Sequence, residues 1–256
     1  YEKFTIQAKN YYDLIESTHN FRYTTENLWI LVYGNRDCDP KVILLLSAYK
    51  NENYESKTLT PKESEIMIYT EQISHKSGVP FIYVRFNNDS EKLNEVKIMM
   101  NGRFKSISLD EYVNVLIGFG IQKNSQSCKK PINSHASNLY HLWQVNCGLD
   151  ITTSDIDLMR VNSELEITEV YELKRSFISI EKWEPYSADF NNFILLSKLF
   201  TRCGISFYIM FNQYQKSPFK DDIEKVKLYK VIYEKELKII NLGILNISSF
   251  FLEFKM

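Results

Sequence analysis

The sequence predicts an α+β protein whose C-terminal half carries a mixed sheet. Three observations lead there. Two alternating runs, Asp155–Val161 and Ile167–Lys174, flank the polar turn Asn162–Glu166, with the length and period of an antiparallel hairpin. Within Tyr186–Cys203, the residues Phe190, Phe193, Ile194, Ser197 and Phe200 recur at helical spacing, and Gly204 stops the helix. Ile205–Phe211 is then a continuous apolar run, the pattern of a buried strand.

The rest of the chain fits the same class. Residues 3–17 read as a helix with Phe4, Ala8, Tyr11, Tyr12 and Ile15 on one side. Asn27–Tyr33 and Val42–Tyr49 are strands joined through the Gly34–Pro40 turn. A helix follows at Pro61–His75, with Ile66, Tyr69 and Ile73 on one face, and then strands at Pro80–Phe86, Val96–Met100 and Arg103–Ile107. Asn101-Gly102 is the dipeptide of a tight hairpin turn. Ser108-Leu109-Asp110-Glu111 is a capping box, which opens a helix to about Gly118.

Residues 121–134 are polar and aperiodic, so they read as the boundary. Residues 1–121 are expected to form an N-terminal α+β domain for substrate recognition or assembly, and 133–256 the second domain. There Asn133 or Ser134 caps a helix to about Cys147, and a weak strand at Leu149–Thr152 leads into the hairpin. Lys225–Tyr233 and Leu237–Leu242 read as added strands, and Asn246–Phe254 as a terminal helix or strand.

Composition bounds the function. The chain has 256 residues, 44% of them apolar and 25% charged, which is ordinary for a soluble protein with an ample core. No apolar run reaches the roughly 18 residues of a membrane span, and the first residues lack a signal-peptide layout. Four scattered cysteines without a C-x-x-C pair read as thiols in a reducing cytoplasm rather than a zinc site. Basic and acidic residues number 31 and 32, so a nucleic-acid partner would need a local basic stripe. Lys216, Lys220, Lys225, Lys227 and Lys230 supply the densest one.

The candidate chemistry lies in the hairpin. Residues two apart in a strand share a face. One continuous strand therefore puts Asp155 with Asp157, and the other puts Glu172 with Lys174. Converging carboxylates suit a hard divalent cation, and an adjacent lysine can orient or activate a metal-bound water.

The spacing D-x(14)-E-L-K, from Asp157 to Glu172, Leu173 and Lys174, resembles the PD-(D/E)xK nuclease superfamily, the restriction-endonuclease-like proteins. Ile156 stands where the motif name has proline. The resemblance implies an αβββαβ core and a Mg²⁺-dependent nuclease, with Mn²⁺ able to substitute. Asp157 and Glu172 would hold the metal with the backbone carbonyl of Leu173, and Asp155 is a further possible ligand. Lys174 completes the catalytic set. It further implies a DNA endonuclease of a restriction, defence or mobile-element system, with RNA not excluded as substrate. It would act as a homodimer or with protein partners, and without a membrane.

Many members place an extra acid in the first core helix. Residues 133–147 have none, and Gln144 takes that place, with Arg175 and Asp189 as further accessory groups. Lys182, Trp183, Tyr186, Lys216 and Lys220 are the DNA-contact candidates, Trp183 and Tyr186 by stacking on an unpaired base. Two rivals remain. In one, Asp155-x-Asp157 resembles the D-x-D metal pair of the nucleotidyltransferases, though no Gly-Ser precedes it and E-L-K goes unexplained. An inactive nuclease-fold module for DNA binding or assembly is the other, and the intact acid-acid-lysine set weighs against it.

Overall fold

The computed structural model describes residues 9–16, 18–24, 27–124 and 139–252. The protein is α+β and divides into two compact units. One comprises Tyr1–Thr24 with Ile156–Met256, and the other Thr25–Asp155. The second unit is thus inserted into the first.

The chain starts the first unit with helix α1 (Lys9–Glu16) and strand β1 (Phe21–Tyr23). Tyr11 and Ile15 turn inward from α1, as their four-residue spacing predicts. Phe4 and Ala8 lie outside the described residues.

The second unit follows, with β2 (Leu28–Gly34), β3 (Pro40–Tyr49), α2 (Asn51–Tyr54), α3 (Pro61–Ser77) and β4 (Phe81–Asn87). Next come β5 (Glu95–Met100), β6 (Arg103–Ser108), α4 (Leu109–Gly118) and β7 (Gln122–Lys123). It ends with α5 (Leu139–Asn146), β8 (Leu149–Asp150) and β9 (Thr152–Asp155). The sheet order is β6-β5-β4-β3-β2-β9, and β7 pairs β8 separately. Local chemistry explains the connections. Asn101 and Gly102 both take positive φ, 52° and 73°, as the tight turn between β5 and β6 requires. Ser108 and Glu111 cap α4 reciprocally, and Thr60 with Glu63 does the same for α3. Because α3 carries the chain back to the starting edge, β3 and β4 are parallel. Under α3, Arg85 is fully buried against Glu63.

The chain then returns to the first unit through β10 (Leu158–Val161), β11 (Ile167–Ser176), a 3₁₀ turn (Ser187–Asp189) and α6 (Phe190–Cys203). It continues with β12 (Ser206–Lys216), β13 (Phe219–Asp221), β14 (Lys225–Tyr233), β15 (Leu237–Asn246) and α7 (Ile247–Leu252). The sheet order is β1-β10-β11-β12-β14-β15, with β13 added beside β12. β1, β10 and β11 are antiparallel neighbours, and α6 crosses over so that β12 runs parallel to β11. The first unit therefore runs helix, three strands, helix, strand. α6 buries Phe193, Leu195, Leu196, Leu199 and Phe200, each worth roughly 1.5–3 kcal/mol of transfer free energy. Gly204 ends α6 at φ 69°, a left-handed cap that glycine adopts without strain.

Two expectations change. The compact units do not divide at residues 121–133; residues 125–138 lie outside the described residues, and with them the caps expected at Asn133 and Ser134. The helix before the hairpin, α5, packs into the second unit, where its Tyr140 hydroxyl bonds to those of Tyr33 and Tyr112. The leading helix and first strand of the αβββαβ order are α1 and β1. β1 is three residues long and its partner lies beyond the whole inserted unit, so no local pattern marks it.

The second change is in the hairpin. Its first strand is not continuous from Asp155. β9 ends at Asp155 in the second unit's sheet, where Asp155 pairs with Leu31. β10 starts at Leu158 in the first unit's sheet. No helix among the described residues is long and apolar enough to cross a membrane.

Candidate metal and catalytic site

Asp157 belongs to neither flanking strand: β9 ends at Asp155 and β10 begins at Leu158. The backbone N–H of Thr24 donates to the carbonyl of Asp157 at 3.2 Å and fixes its main chain. The register Leu158↔Tyr171, carried one step further, puts Asp157 across from Glu172. β10 has ended there, so β11 lacks a strand carbonyl at Leu173. The carboxylate takes its place: Oδ2 of Asp157 accepts the Leu173 N–H at 2.7 Å. Such a bond to an ionised acceptor is among the stronger hydrogen bonds. It anchors the aspartate to the middle residue of E-L-K.

Glu172 is buried, and its Oε1 lies 2.9 Å from Nζ of Lys174. The alternation of β11 puts both on one face. Nζ of Lys174 also lies 3.2 Å from Oδ2 of Asp189, and 5.7 Å from the centre of the Phe193 ring. Burial alone would lower the lysine's pKa. The charges and hydrogen bonds of Glu172 and then Asp189 outweigh it and hold Lys174 well above its ordinary value. The two carboxylates thus favour the charged ammonium form of Lys174. Asp189 precedes α6, yet its side chain makes no capping bond; it turns to Lys174 instead.

The donor set available to a metal is all oxygen: the carboxylates of Asp157 and Glu172 and the carbonyl of Leu173. That chemistry fits Mg²⁺, which takes one or two protein carboxylates and keeps several waters. Among the described residues, no group of three or more His, Cys, Asp and Glu side chains is arranged to hold a metal. The set is a pair, not a cage. Asp155 pairs in the second unit's sheet, whereas Asp157 lies just before β10 of the first, so the two do not share one strand face. The D-x-D reading loses its single strand for the same reason.

The remaining candidates separate. Gln144 lies on α5 in the second unit, not in the core that carries Glu172. Arg175 alternates to the face opposite Lys174. It sits 3.3 Å from the buried Asp221 and 5.5–5.7 Å from the Phe219 and Tyr214 ring centres. Burial raises the pKa of Asp221 despite that guanidinium. Trp183 is buried, stacked on Phe211 with centroids 4.2 Å apart, so it has no free face for a base. Tyr186 beside it is exposed. Lys182, Lys216 and Lys220 are exposed, with Nζ of Lys216 3.4 Å from the centre of the Phe177 ring.

Lys227 leaves the expected basic surface. It is buried, and its Nζ donates to the carbonyls of Glu181 and Trp183 and to Glu184. Together with the Tyr229 hydroxyl, which also bonds the Trp183 carbonyl at 2.7 Å, it ties down the loop leading to Asp189. Thr24 and Phe193 are parts of the site that sequence reasoning missed. Phe193 was visible only as an apolar helix position, and nothing near Thr24 signals a contact with residue 157.

No protein-family model matches the chain, and no curated protein does. Among solved structures, it is similar to the C-terminal domain of the sex pheromone staph-cAM373 precursor from Staphylococcus aureus. Identity there is 10%, over 91% of this chain and 73% of that one, with a TM-score of 0.17. A sex pheromone precursor from Lactobacillus salivarius subsp. salivarius is similar at 10% identity over 79% and 62%, with a TM-score of 0.15. Scores this low carry no argument about fold or function.

Proposed function

We propose that the first unit is a metal-dependent nuclease core that hydrolyses phosphodiester bonds in DNA. One observation carries this reading. Just before β10, the Asp157 carboxylate accepts the Leu173 N–H of β11, whose neighbours Glu172 and Lys174 are paired on one face, inside a helix–three strands–helix–strand order. That combination of order and motif is what the PD-(D/E)xK resemblance implies. Asp157, Glu172 and the Leu173 carbonyl would hold Mg²⁺ or Mn²⁺. The ion would neutralise phosphate charge and acidify a bound water.

The protein's own groups do the rest. Asp157 is oriented by the Leu173 N–H, and Glu172 by Lys174. Lys174, kept charged, donates to a water or a phosphate oxygen. Asp189 holds the ammonium from the other side. The inserted unit is the proposed substrate-reading or assembly part, and a cytoplasmic restriction, defence or mobile-element role fits such a chain.

The test is cleavage of duplex plasmid and of single-stranded circular DNA by the full chain in Mg²⁺, in Mn²⁺ and in EDTA, beside four variants. Wild type and Asp155→Asn are expected to cut at least one of the two DNAs with metal and neither in EDTA. Asp157→Asn, Glu172→Gln and Lys174→Met are expected to leave both intact. Undiminished cutting in EDTA would sink the reading. DNA binding without cutting under any cation would favour the inactive assembly module. If Asp155→Asn were the dead variant, the pairing of Asp157 with Glu172 would be wrong.

A further inference from the structure

We infer that the nucleic acid entering this site is single-stranded DNA, its bases stacked on Tyr186 and Phe190. The inference rests on the nuclease reading and names its substrate class. Both rings are exposed, Tyr186 at 48% and Phe190 at 37%, whereas Phe193, Leu195, Leu196, Leu199 and Phe200 of α6 are buried.

Their position follows from local geometry. In the 3₁₀ turn, the Asp189 N–H donates to the Tyr186 carbonyl at 3.0 Å, so both residues lie within one turn of Asp189. That carboxylate is bound to Lys174. A second path leads the same way: the Phe190 ring lies 6.4 Å from Phe193, whose ring lies 5.7 Å from Nζ of Lys174. Two exposed aromatic rings thus flank the group that holds the site's ammonium.

The platform is also rigid. Tyr186 meets Trp183 edge-on at 6.0 Å, and Trp183 is fixed by its stack on Phe211 and by the bonds to its carbonyl from Lys227 and Tyr229. A fixed ring loses little entropy on stacking. Lys182, exposed on the same loop, supplies a charge for the backbone. Aromatic platforms with nearby cations bind unpaired bases with little sequence preference. Bases inside a duplex are already stacked and offer no open face. The exposed Phe177 does not compete for this role, because the ammonium of Lys216 covers it.

The experiment is fluorescence anisotropy of the full chain with a short labelled single-stranded DNA and with the blunt duplex of the same sequence, in EDTA. The single strand is expected to bind at least about tenfold more tightly. Tyr186→Ala and Phe190→Ala should each weaken it by about ten- to a hundredfold, with unchanged melting temperatures. Tyr186→Phe and Phe190→Tyr should retain binding, and Phe190→Leu should lose it although it stays apolar. Equal or tighter duplex binding, no single-strand binding, or alanine variants that bind like wild type would each overturn the inference. Metal-dependent cutting of duplex that ignores both rings would leave the nuclease reading intact and end this one. Ring-dependent single-strand binding by a chain that cuts nothing would do the reverse.

Discussion

Each unit buries one glutamate against a cation, and the two pairs differ in what else they hold. In the inserted unit, Glu63 receives Arg85 at 3.3 Å, the Tyr83 hydroxyl and the Thr60 N–H at 2.7 Å. Arg85 in turn donates to the Ser56 carbonyl and lies 3.9 Å from the centre of the Phe104 ring. Burial alone would raise the Glu63 pKa; the bonds from Tyr49, Tyr83 and Thr60 and the charge of Arg85 bring it below the ordinary value. In the first unit, Glu172 pairs with Lys174, and that lysine has another partner in Asp189. The first pair is a brace tied to three further groups, Tyr83, Thr60 and Ser56. The second shares its cation between two carboxylates, so Lys174 keeps a partner in Asp189 if the bond to Glu172 is lost. A buried ion pair is therefore no signature of function by itself; the tolerance of its members for a change of partner is what distinguishes them.

Stability measurements can break this comparison. Glu63→Ala strands the Arg85 guanidinium, and about 3–5 kcal/mol of unfolding free energy should disappear in a denaturant titration, as for a broken buried pair. A loss under about 1 kcal/mol would mean the brace is not one. Acid sharpens the same point. Because the folded pKa of Glu63 is depressed, its contribution is full above the unfolded value of roughly 4.3 and is lost as pH falls through the folded value. The melting temperature should drop in that acid window for wild type, and the drop should be shallower for Glu63→Gln. The smallest effect belongs to the other pair. Glu172→Gln should shift stability by less than about 1 kcal/mol, since Lys174 keeps Asp189 and is not fully buried. A loss comparable to that of Glu63→Ala would erase the distinction.

Much of this was legible in the residues, and what was not has a common cause. The capping box at Ser108, the turn at Asn101-Gly102, the Gly204 stop and the hairpin itself are local signals, and each appears where the pattern puts it. Glu172 and Lys174 sharing a face is also local, because it needs only the period of one strand. The failures are all non-local. Asp155 and Asp157 look like neighbours on a strand, but the chain changes sheets between them. The helix holding Gln144 satisfies a core pattern that either unit could have used. Trp183 and Lys227 look like surface chemistry, yet they lock each other inside, 44 residues apart. Periodicity tells which face a residue occupies, not which sheet receives that face.

The bond from Thr24 to Asp157 spans a sequence separation of 133, and that separation dictates an order of events. Closing a flexible loop of such length costs roughly 4 kcal/mol in chain entropy. Along a chain made from its N-terminus, the inserted unit is complete before Asp157, Glu172 and Lys174 have been synthesised, and domains generally fold as units during synthesis. β1 must wait unpaired for β10 throughout that interval. The acid pair thus comes into being only after every residue of the inserted unit has been made, and a nascent chain ending before β11 would hold the whole inserted sequence and no acid pair at all.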